Sequence, residues 1–218
     1  SSAIRPRELL SILRKRDIMT INLANVGVFV ARQGVLNTIV PLYARLNLGL
    51  ALSELGVVLS VGALANLLTI LMSGSLSDRH GRRPFFLAGL GLTALFIALV
   101  PFTTDLVQLS AVVVGLTLSM GLAGPMAAWL TDVVGPGELG GAMGVFRTMG
   151  DFGYVVGPVA LAALAGTGGS VASTPFFLAA AVILLLTLPL IRTSDPAAAR
   201  ARRRRKDENF HEMRKMCG

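Results

Sequence analysis

Apolar residues in this chain form six long runs, separated by short breaks that contain polar residues, Gly or Pro. The runs cover residues 18–44, 55–76, 85–102, 106–130, 141–165 and 175–191. A helix that crosses the hydrocarbon core of a bilayer needs about 20 mainly apolar residues, and each run approaches or exceeds that length. A transmembrane β-barrel would instead show short segments of alternating polarity. The pattern therefore predicts an all-α polytopic membrane protein with six transmembrane helices.

The breaks between the runs carry residues typical of helix starts. Ser53 and Glu54 precede the second run, and Thr104 and Asp105 precede the fourth. Side chains of these types accept hydrogen bonds from the free N–H groups of a first helical turn. We therefore expect the second helix to begin at Ser53 and Glu54, and the fourth to be capped by Thr104 and Asp105.

The composition is typical of a protein that is surrounded by lipid. Hydrophobic residues make up 53% of the chain and charged residues 15%, and the mean hydropathy is +0.69. A water-soluble domain of this size has too little interior to hide so large an apolar fraction. We expect membrane lipid to cover the outer surface.

The net charge of +8 comes from basic residues that the six-helix pattern places on one side of the membrane. They are grouped before residue 18, between the second and third runs, and after residue 191, whereas the opposite loops contain Arg45 alone. Basic loops remain in the cytoplasm, so we predict cytoplasmic termini in a plasma membrane, such as a bacterial inner membrane. The grouping is a topology signal and does not indicate nucleic-acid binding.

This topology divides the chain into three segments. Residues 1–17 are predicted to be a basic cytoplasmic lead-in, residues 18–192 the transmembrane bundle, and residues 193–218 a basic, disordered cytoplasmic tail. The single Trp129, near the cytoplasmic end of the fourth run, is expected to be an interfacial anchor.

The densest internal charge cluster is the stretch GSLSDRHGRRP, residues 74–84, between the second and third runs. We expect a short cytoplasmic loop, with Gly74 and Gly81 where the backbone turns or approaches a neighbour closely. Its arginines can pair with acids at neighbouring helix ends. The candidate acids, between the fourth and fifth runs, are Asp132 and Glu138. Such contacts can hold the helix ends in one conformation and release them in another.

The same stretch resembles motif A of the major facilitator superfamily, which reads Gly-x-x-x-Asp-Arg-x-Gly-Arg-Arg. The matching residues are Gly74, Asp78, Arg79, Gly81, Arg82 and Arg83. The resemblance implies that they gate the cytoplasmic side of a carrier through charge contacts in its outward-facing state. It also implies transport of a small solute by alternating access between two six-helix halves.

A second resemblance lies in the fifth run, where Gly153, Gly157 and Pro158 are similar to motif C of proton-linked drug antiporters. Small residues four apart allow helices to approach closely, and a proline inside a helix predicts a bend. The antiporter motif continues with two further glycines, whereas this chain has Leu161 and Ala162. The resemblance implies efflux coupled to protons, and the alternative is a tightly packed helix without a gating role.

The chain holds six of the twelve helices of such a carrier, and we interpret it as the C-terminal half. The fourth run lacks the arginine that first halves carry there, and the basic lead-in resembles the linker between halves. A single half cannot enclose a substrate. The expected partner is therefore the N-terminal six-helix half or a second copy of this chain.

Charged residues inside transmembrane runs are costly and mark functional positions. Arg32 is about 14 residues into the first run, roughly 21 Å at 1.5 Å per residue. Helical spacing places Asn25, Arg32 and Gln33 near one face, and the family resemblance implies that this helix lines the substrate cavity. Arg32 can bind an anionic group or act as the counter-ion of a protonatable acid. Alternatively, it forms a structural ion pair or extends towards the membrane surface.

Arg147 and Asp151 are one helical turn apart in the fifth run and are expected to pair with each other. Alternatively, Asp151 takes up and releases the coupling proton, or Arg147 reaches Asp78 and becomes a partner of the gate. Asn37 and Asn66 can line the cavity or form hydrogen bonds between helices.

No arrangement in the sequence predicts an enzyme. There is no nucleophile motif, phosphate-binding glycine loop or group of metal ligands, so neither a cofactor nor a metal is expected. The alternative to a transporter is a non-transporting membrane protein, such as a sensor or an assembly subunit, or an inactive truncated fragment.

Overall fold

A computed structural model describes residues 14–135, 137–166, 169–193 and 195–196, without the side chains of Arg79 and His80. Within these residues all regular secondary structure is helical. The predicted tail, apart from its first residues, and nearly all of the predicted lead-in lie outside the described residues.

The first rod of the bundle, Arg16–Leu46, combines three helical segments of two kinds, α and π. Helix α1 (Arg16–Phe29) continues without a break into a π-helical segment, Val30–Ile39, and then into α2 (Val40–Leu46). The π-helical segment is unusual because such windings normally extend over a single turn and occur frequently at functional sites.

The remaining helices follow in chain order and are joined by short connections. They are α3 (Leu52–His80), α4 (Arg82–Leu99), α5 (Leu106–Leu122), α6 (Met126–Val133), α7 (Leu139–Leu164) and α8 (Thr174–Thr187). Short 3₁₀ segments, Val100–Phe102 and Leu188–Arg192, extend α4 and α8.

Five rods in the described part of the chain are long and apolar enough to cross a membrane: Arg16–Leu46, Leu52–Asp78, Arg82–Phe102, Leu106–Val133 and Thr174–Arg192. Helix α7 has 26 residues, enough to span, but Arg147, Asp151 and several glycines lower its hydropathy. The five rods and α7 coincide with the six apolar runs. The prediction of an all-α polytopic membrane protein is confirmed.

The fourth rod is broken where the sequence predicted one continuous helix. Pro125 has no N–H group to donate, and the residues before it form 3₁₀-type bonds from Ala123 to Met120 and from Gly124 to Gly121. Helix α5 therefore ends at Leu122, and α6 begins at Met126.

The helix starts agree closely with the capping residues in the sequence. The side chain of Asp105 accepts a hydrogen bond from the N–H of Gln108 at 2.8 Å, so the predicted cap of the fourth rod is present. Glu54 accepts from the N–H of Ala51 at 2.7 Å. Helix α3 consequently begins at Leu52, one residue before the predicted start.

Trp129 is fully buried and does not anchor the protein at the membrane surface, so that prediction was wrong. Its ring stacks on Phe86 with a centroid distance of 5.1 Å and an interplanar angle of 22°. The stack packs α6 against the start of α4.

The two ends of the bundle differ in their chemistry. At one end, the charged end, lie Lys15, the α3–α4 junction, Asp132 and Glu138. At the opposite end, the hydroxyl of Tyr43 approaches the carbonyl oxygens of Pro101 and Thr103 at 3.2 and 2.9 Å. There, Asn47 and Val171 also exchange two hydrogen bonds, which join the loops beside them.

Candidate functional site

The motif at residues 74–84 is mostly helical and is not the loop that the sequence predicted. Helix α3 continues to His80, and Gly81 is the single non-helical residue before α4. Gly81 has φ 98°, a backbone conformation that residues with a Cβ rarely adopt. Gly74 lies inside α3 with no neighbouring atom where a Cβ would be. It marks neither a turn nor a close approach.

Arg82 binds two carboxylates and thereby joins the ends of three helices. Its Nη2 lies 2.8 Å from Oδ1 of Asp78 on α3, and its Nε lies 2.5 Å from Oδ2 of Asp132 on α6. The side chains of Arg82 and Asp132 are 11% and 14% exposed, whereas that of Asp78 is 60% exposed. The Arg82–Asp132 contact is therefore shielded from solvent, and the Asp78 contact is not.

The backbone of Arg83 provides another contact at the same junction. Its N–H donates to Oδ2 of Asp195 at 2.9 Å, which places a carboxylate at the positive end of the α4 dipole. The side chain of Arg83 makes no ion pair with any described residue. Asp195 was not predicted from the sequence, although an acid shortly after the last apolar run was the available signal.

The sequence suggested that Glu138 pairs with an arginine of the motif. In the structure it makes no ion pair with Arg82 or Arg83. It forms an ion pair with Lys15, which precedes α1. This contact links the start of α1 to the start of α7. Among the described residues, no ion pair links this pair to the Arg82 contacts. Lys15 was missed because it belongs to a diffuse basic stretch.

Arg147 and Asp151 do not form the expected pair, although both lie on α7. Neither side chain makes an ion pair among the described residues, and Arg147 does not reach Asp78. Both are exposed. The order of the charges offers a reason: an acid that follows a base by four residues is less favourably oriented than one that precedes it.

Both residues line a cavity of about 510 Å³ between α1 and α7. Its other lining residues are Asn25, Phe29, Met143, Gly144 and Phe146. The side-chain amide of Asn25 donates to the carbonyl of Phe146 at 2.8 Å, which fixes its orientation at the cavity wall.

A second cavity, of about 270 Å³, lies between the first rod, α3 and α5. Its lining residues are Arg32, Leu36, Asn37, Leu59, Ala63, Asn66, Thr117 and Met120. Nη2 of Arg32 lies 3.3 Å from Oδ1 of Asn66, and Nδ2 of Asn66 donates to the carbonyl of Thr117 at 2.8 Å. Asn66 thus both lines a cavity and bonds between helices.

Asn25 and Arg32 line different cavities, so the prediction that they share a face with Gln33 was wrong. Two α-helical turns return to the same face after seven residues, but the winding changes to π at Val30. Gln33 lines neither of these two cavities. Its side chain instead accepts from Asn37 at 2.9 Å.

The first rod and α7 touch through glycines. A Cβ built on Gly34 would lie 2.9 Å from the carbonyl carbon of Gly157, and one on Gly153 would lie 2.7 Å from the carbonyl oxygen of Val26. Contacts this short leave no room for a side chain. Pro158 follows within α7, which continues to Leu164.

Comparison with known proteins gives two findings. The sequence profile of the Major Facilitator Superfamily matches residues 22–215. A crystal structure of a mutant of peptide transporter POT in complex with sulfate superposes with a TM-score of 0.70 at 18% identity. The match covers 87% of this chain and 41% of that one, so the chain spans about two fifths of the transporter's length. No protein of curated function matches the sequence.

Proposed function

The chain belongs to the major facilitator superfamily, and from this membership we propose that it forms half of a carrier that moves a small solute by alternating access. The observation that carries the proposal is the Arg82 contact with Asp78 and Asp132. It joins α3, α4 and α6 at one end of the bundle through charged side chains. Charge contacts at helix ends can form and break without repacking an apolar core.

The gate comprises the motif residues at the α3–α4 junction and Asp132. Because the Arg82–Asp132 contact is shielded from solvent, the loss of either partner would leave an unpaired charge in the closed gate. Asp78 and the helix N-terminus at Arg83 add weaker contacts. Arg79 belongs to the gate by its place in the motif. Gly81 allows α4 to begin directly beside the acids.

The substrate path runs past two cavities that border the first rod in the described part of the chain. The residues that we assign to it are Asn25, Arg32 and Gln33. Asn25 and Arg32 support the proposal because each lines a cavity of solute size. Gln33 lines neither cavity, but it accepts a hydrogen bond from Asn37, which lines the smaller one.

Asp151 is the residue that we propose for proton coupling. It is exposed at the larger cavity and has no ion pair in the described part of the chain. A carboxyl in this situation can gain and lose a proton without breaking an ion pair. Together with the antiporter-like glycines of α7, this favours proton-coupled efflux.

The complete carrier needs a second six-helix bundle, either an N-terminal half or another copy of this chain. Large apolar side chains are exposed along α3 and α7, including Leu64, Leu71, Val155 and Val159. They provide surface for lipid and for the second bundle. We place the charged end in the cytoplasm of a bacterial cell, with both termini on that side of the inner membrane.

A labelling experiment tests the gate without knowledge of the substrate. Gly144→Cys, in a Cys217→Ser background, places a thiol at the larger cavity, where the backbone of residue 144 has free space. We expect Asp132→Asn to raise its labelling rate by a membrane-impermeant maleimide severalfold in inverted vesicles. Asp105→Asn, at the opposite end, is the control and leaves the rate unchanged. An equal rate in the wild-type and Asp132→Asn backgrounds rejects the gate.

Proton coupling is tested in proteoliposomes that contain a pH-sensitive dye. Ethidium and benzoate are added as a cationic and an anionic probe, and proton movement is measured. We expect a solute-dependent pH change that Asp151→Asn abolishes and Asp151→Glu retains. A pH change that survives Asp151→Asn removes Asp151 from the mechanism. If a broad panel of solutes causes no pH change, whether the protein is a monomer or a dimer, the result favours the non-transporting alternative.

A further inference from the structure

Arg32 is a cation inside the first rod that has no acidic partner among the described residues. Its side chain is exposed at the 270 Å³ cavity and makes none of the ion pairs found in the described part of the chain. A guanidinium cannot lose its proton, and a charge at this depth is costly when it is unpaired. An anion at the cavity would remove that cost.

Asn66 orients the guanidinium towards the cavity. The carbonyl of Thr117 accepts from Nδ2 of Asn66, which leaves the amide oxygen facing Arg32. One Nη2–H of Arg32 is directed at that oxygen. The guanidinium has five N–H donors in a planar fork, so the others are left for a ligand. Asn66 therefore acts as a positioning residue.

The cavity walls indicate what accompanies the anion. Leu36, Leu59, Ala63 and Met120 form an apolar surface beside the guanidinium. Asn37 also lines this cavity. A single charge and a planar fork match one carboxylate, whereas a phosphate dianion would leave a charge uncompensated. The larger cavity, of about 510 Å³, contains Arg147 together with Asp151 and so adds no net positive charge.

Resting on the transport function proposed above, we propose that Arg32, positioned by Asn66, binds the carboxylate of a small organic anion. The apolar body of that anion lies against Leu36, Leu59 and Met120. The substrate class is therefore a monocarboxylate with a compact apolar group. This site selects the solute by charge, and the larger cavity handles the proton.

Binding to the purified full chain in detergent tests this site directly. The probes are benzoate and butyrate, their neutral amides benzamide and butyramide, and inorganic phosphate. The thermal midpoint of the protein is measured at increasing concentrations of each probe. We expect the carboxylates alone to raise the midpoint. Arg32→Gln should weaken their apparent affinity at least tenfold, and Asn66→Ala should weaken it several-fold. Arg45→Gln, which changes an exposed arginine at the opposite end, should leave it unchanged.

Two further variants separate recognition from general stabilisation. Arg32→Lys keeps the charge but loses the planar fork, and should restore only part of the affinity. Asn66→Asp supplies Arg32 with an internal carboxylate and should abolish the response to benzoate. A response that is equal for acid and amide, or larger for phosphate, overturns the carboxylate assignment. If Arg32→Gln lowers the thermal midpoint while the response to benzoate persists, Arg32 has a structural role and the carboxylate assignment is also overturned.

The outcomes also distinguish this site from the proposed function. Binding that depends on Arg32 without any flux in proteoliposomes would reject transport and retain the site. Flux of a solute that is indifferent to Arg32→Gln would reject the site and retain transport.

Discussion

Gly34 in the π-helical segment and Gly157 in α7 bring two helix backbones into direct contact. A Cβ on Gly34 would lie 2.9 Å from the carbonyl carbon of Gly157 and 2.9 Å from Cδ1 of Leu161. The first of these atoms belongs to a helix backbone and cannot rotate away. This contact therefore fixes the separation of the first rod and α7.

We expect Gly34→Ala to destabilise the bundle. The added methyl group must push the two helices apart, and overpacking of this kind costs about 1 to 3 kcal/mol. Gly144→Ala is the matched control, because its Cβ would meet no atom within 4 Å. The measurement is the thermal midpoint in detergent. If both variants unfold at the same temperature, the close contact does not determine stability.

The two acids that bind Arg82 should contribute unequally to stability. Removing one partner of a buried ion pair costs roughly 3 to 5 kcal/mol, whereas an exposed pair contributes about 0 to 1 kcal/mol. We therefore expect Asp132→Asn to lower the free energy of unfolding clearly and Asp78→Asn to change it little. Reversible unfolding of the two variants side by side provides the comparison, and a larger loss for Asp78→Asn would contradict it.

Trp129 is the only tryptophan in the chain, so its fluorescence reports directly on its burial. We expect a blue-shifted emission that neither acrylamide in the water nor brominated lipid in the bilayer quenches strongly. Replacement by Ala should cost about 3 to 5 kcal/mol, since the stack on Phe86 is lost. Strong quenching by lipids brominated near the headgroup would instead place the ring at the membrane surface.

The hydrogen bonds between Asn47 and Val171 should hold the loops at the end opposite the charged end. Nδ2 of Asn47 donates to the carbonyl of Val171 at 3.1 Å, and the N–H of Val171 donates back at 2.7 Å. Asn47→Ala leaves both backbone groups of Val171 without this partner, at a cost of about 1 to 3 kcal/mol. Hydrogen exchange at the Val171 amide should accelerate. Arg45→Ala, at an exposed neighbouring position, should leave that rate unchanged.

Thiol labelling can establish which end of the bundle faces the cytoplasm. In a Cys217→Ser background, Gly140→Cys marks the charged end and Thr104→Cys marks the opposite end; both positions are exposed. A membrane-impermeant maleimide should label Thr104→Cys in intact cells and Gly140→Cys only in inverted vesicles. The reverse pattern would place the motif outside the cell and remove its cytoplasmic gating role.

The six-helix architecture could be predicted from the sequence because it depends on the length of apolar runs, which the bilayer thickness sets. The cap at Asp105 was equally accessible, since a cap is local chemistry. In contrast, the winding of residues 30–39 depends on how the first rod meets α7. No periodicity of its own sequence indicates that change. As a result, it could not be deduced from the sequence that Asn25 and Arg32 line different cavities.

The ion pairs were harder to predict than the helices. Arg82 and Asp132 lie together because α6 packs against the start of α4, and Glu138 meets Lys15 because α1 and α7 begin side by side. For each acid, several arginines or lysines on the same side of the membrane were possible partners. Charge sign and topology reduce the number of possible partners, but the packing of the helices determines which ion pair forms.

The junction at Gly81 has a mechanical consequence. With one residue between two rods of 29 and 18 residues, there is no slack to absorb a change of inclination. When α3 tilts, α4 must therefore tilt with it unless the φ and ψ angles of Gly81 change. Gly81 has no Cβ that would restrict these angles. The contacts of Arg82 with Asp78 and Asp132 restrain the rotation.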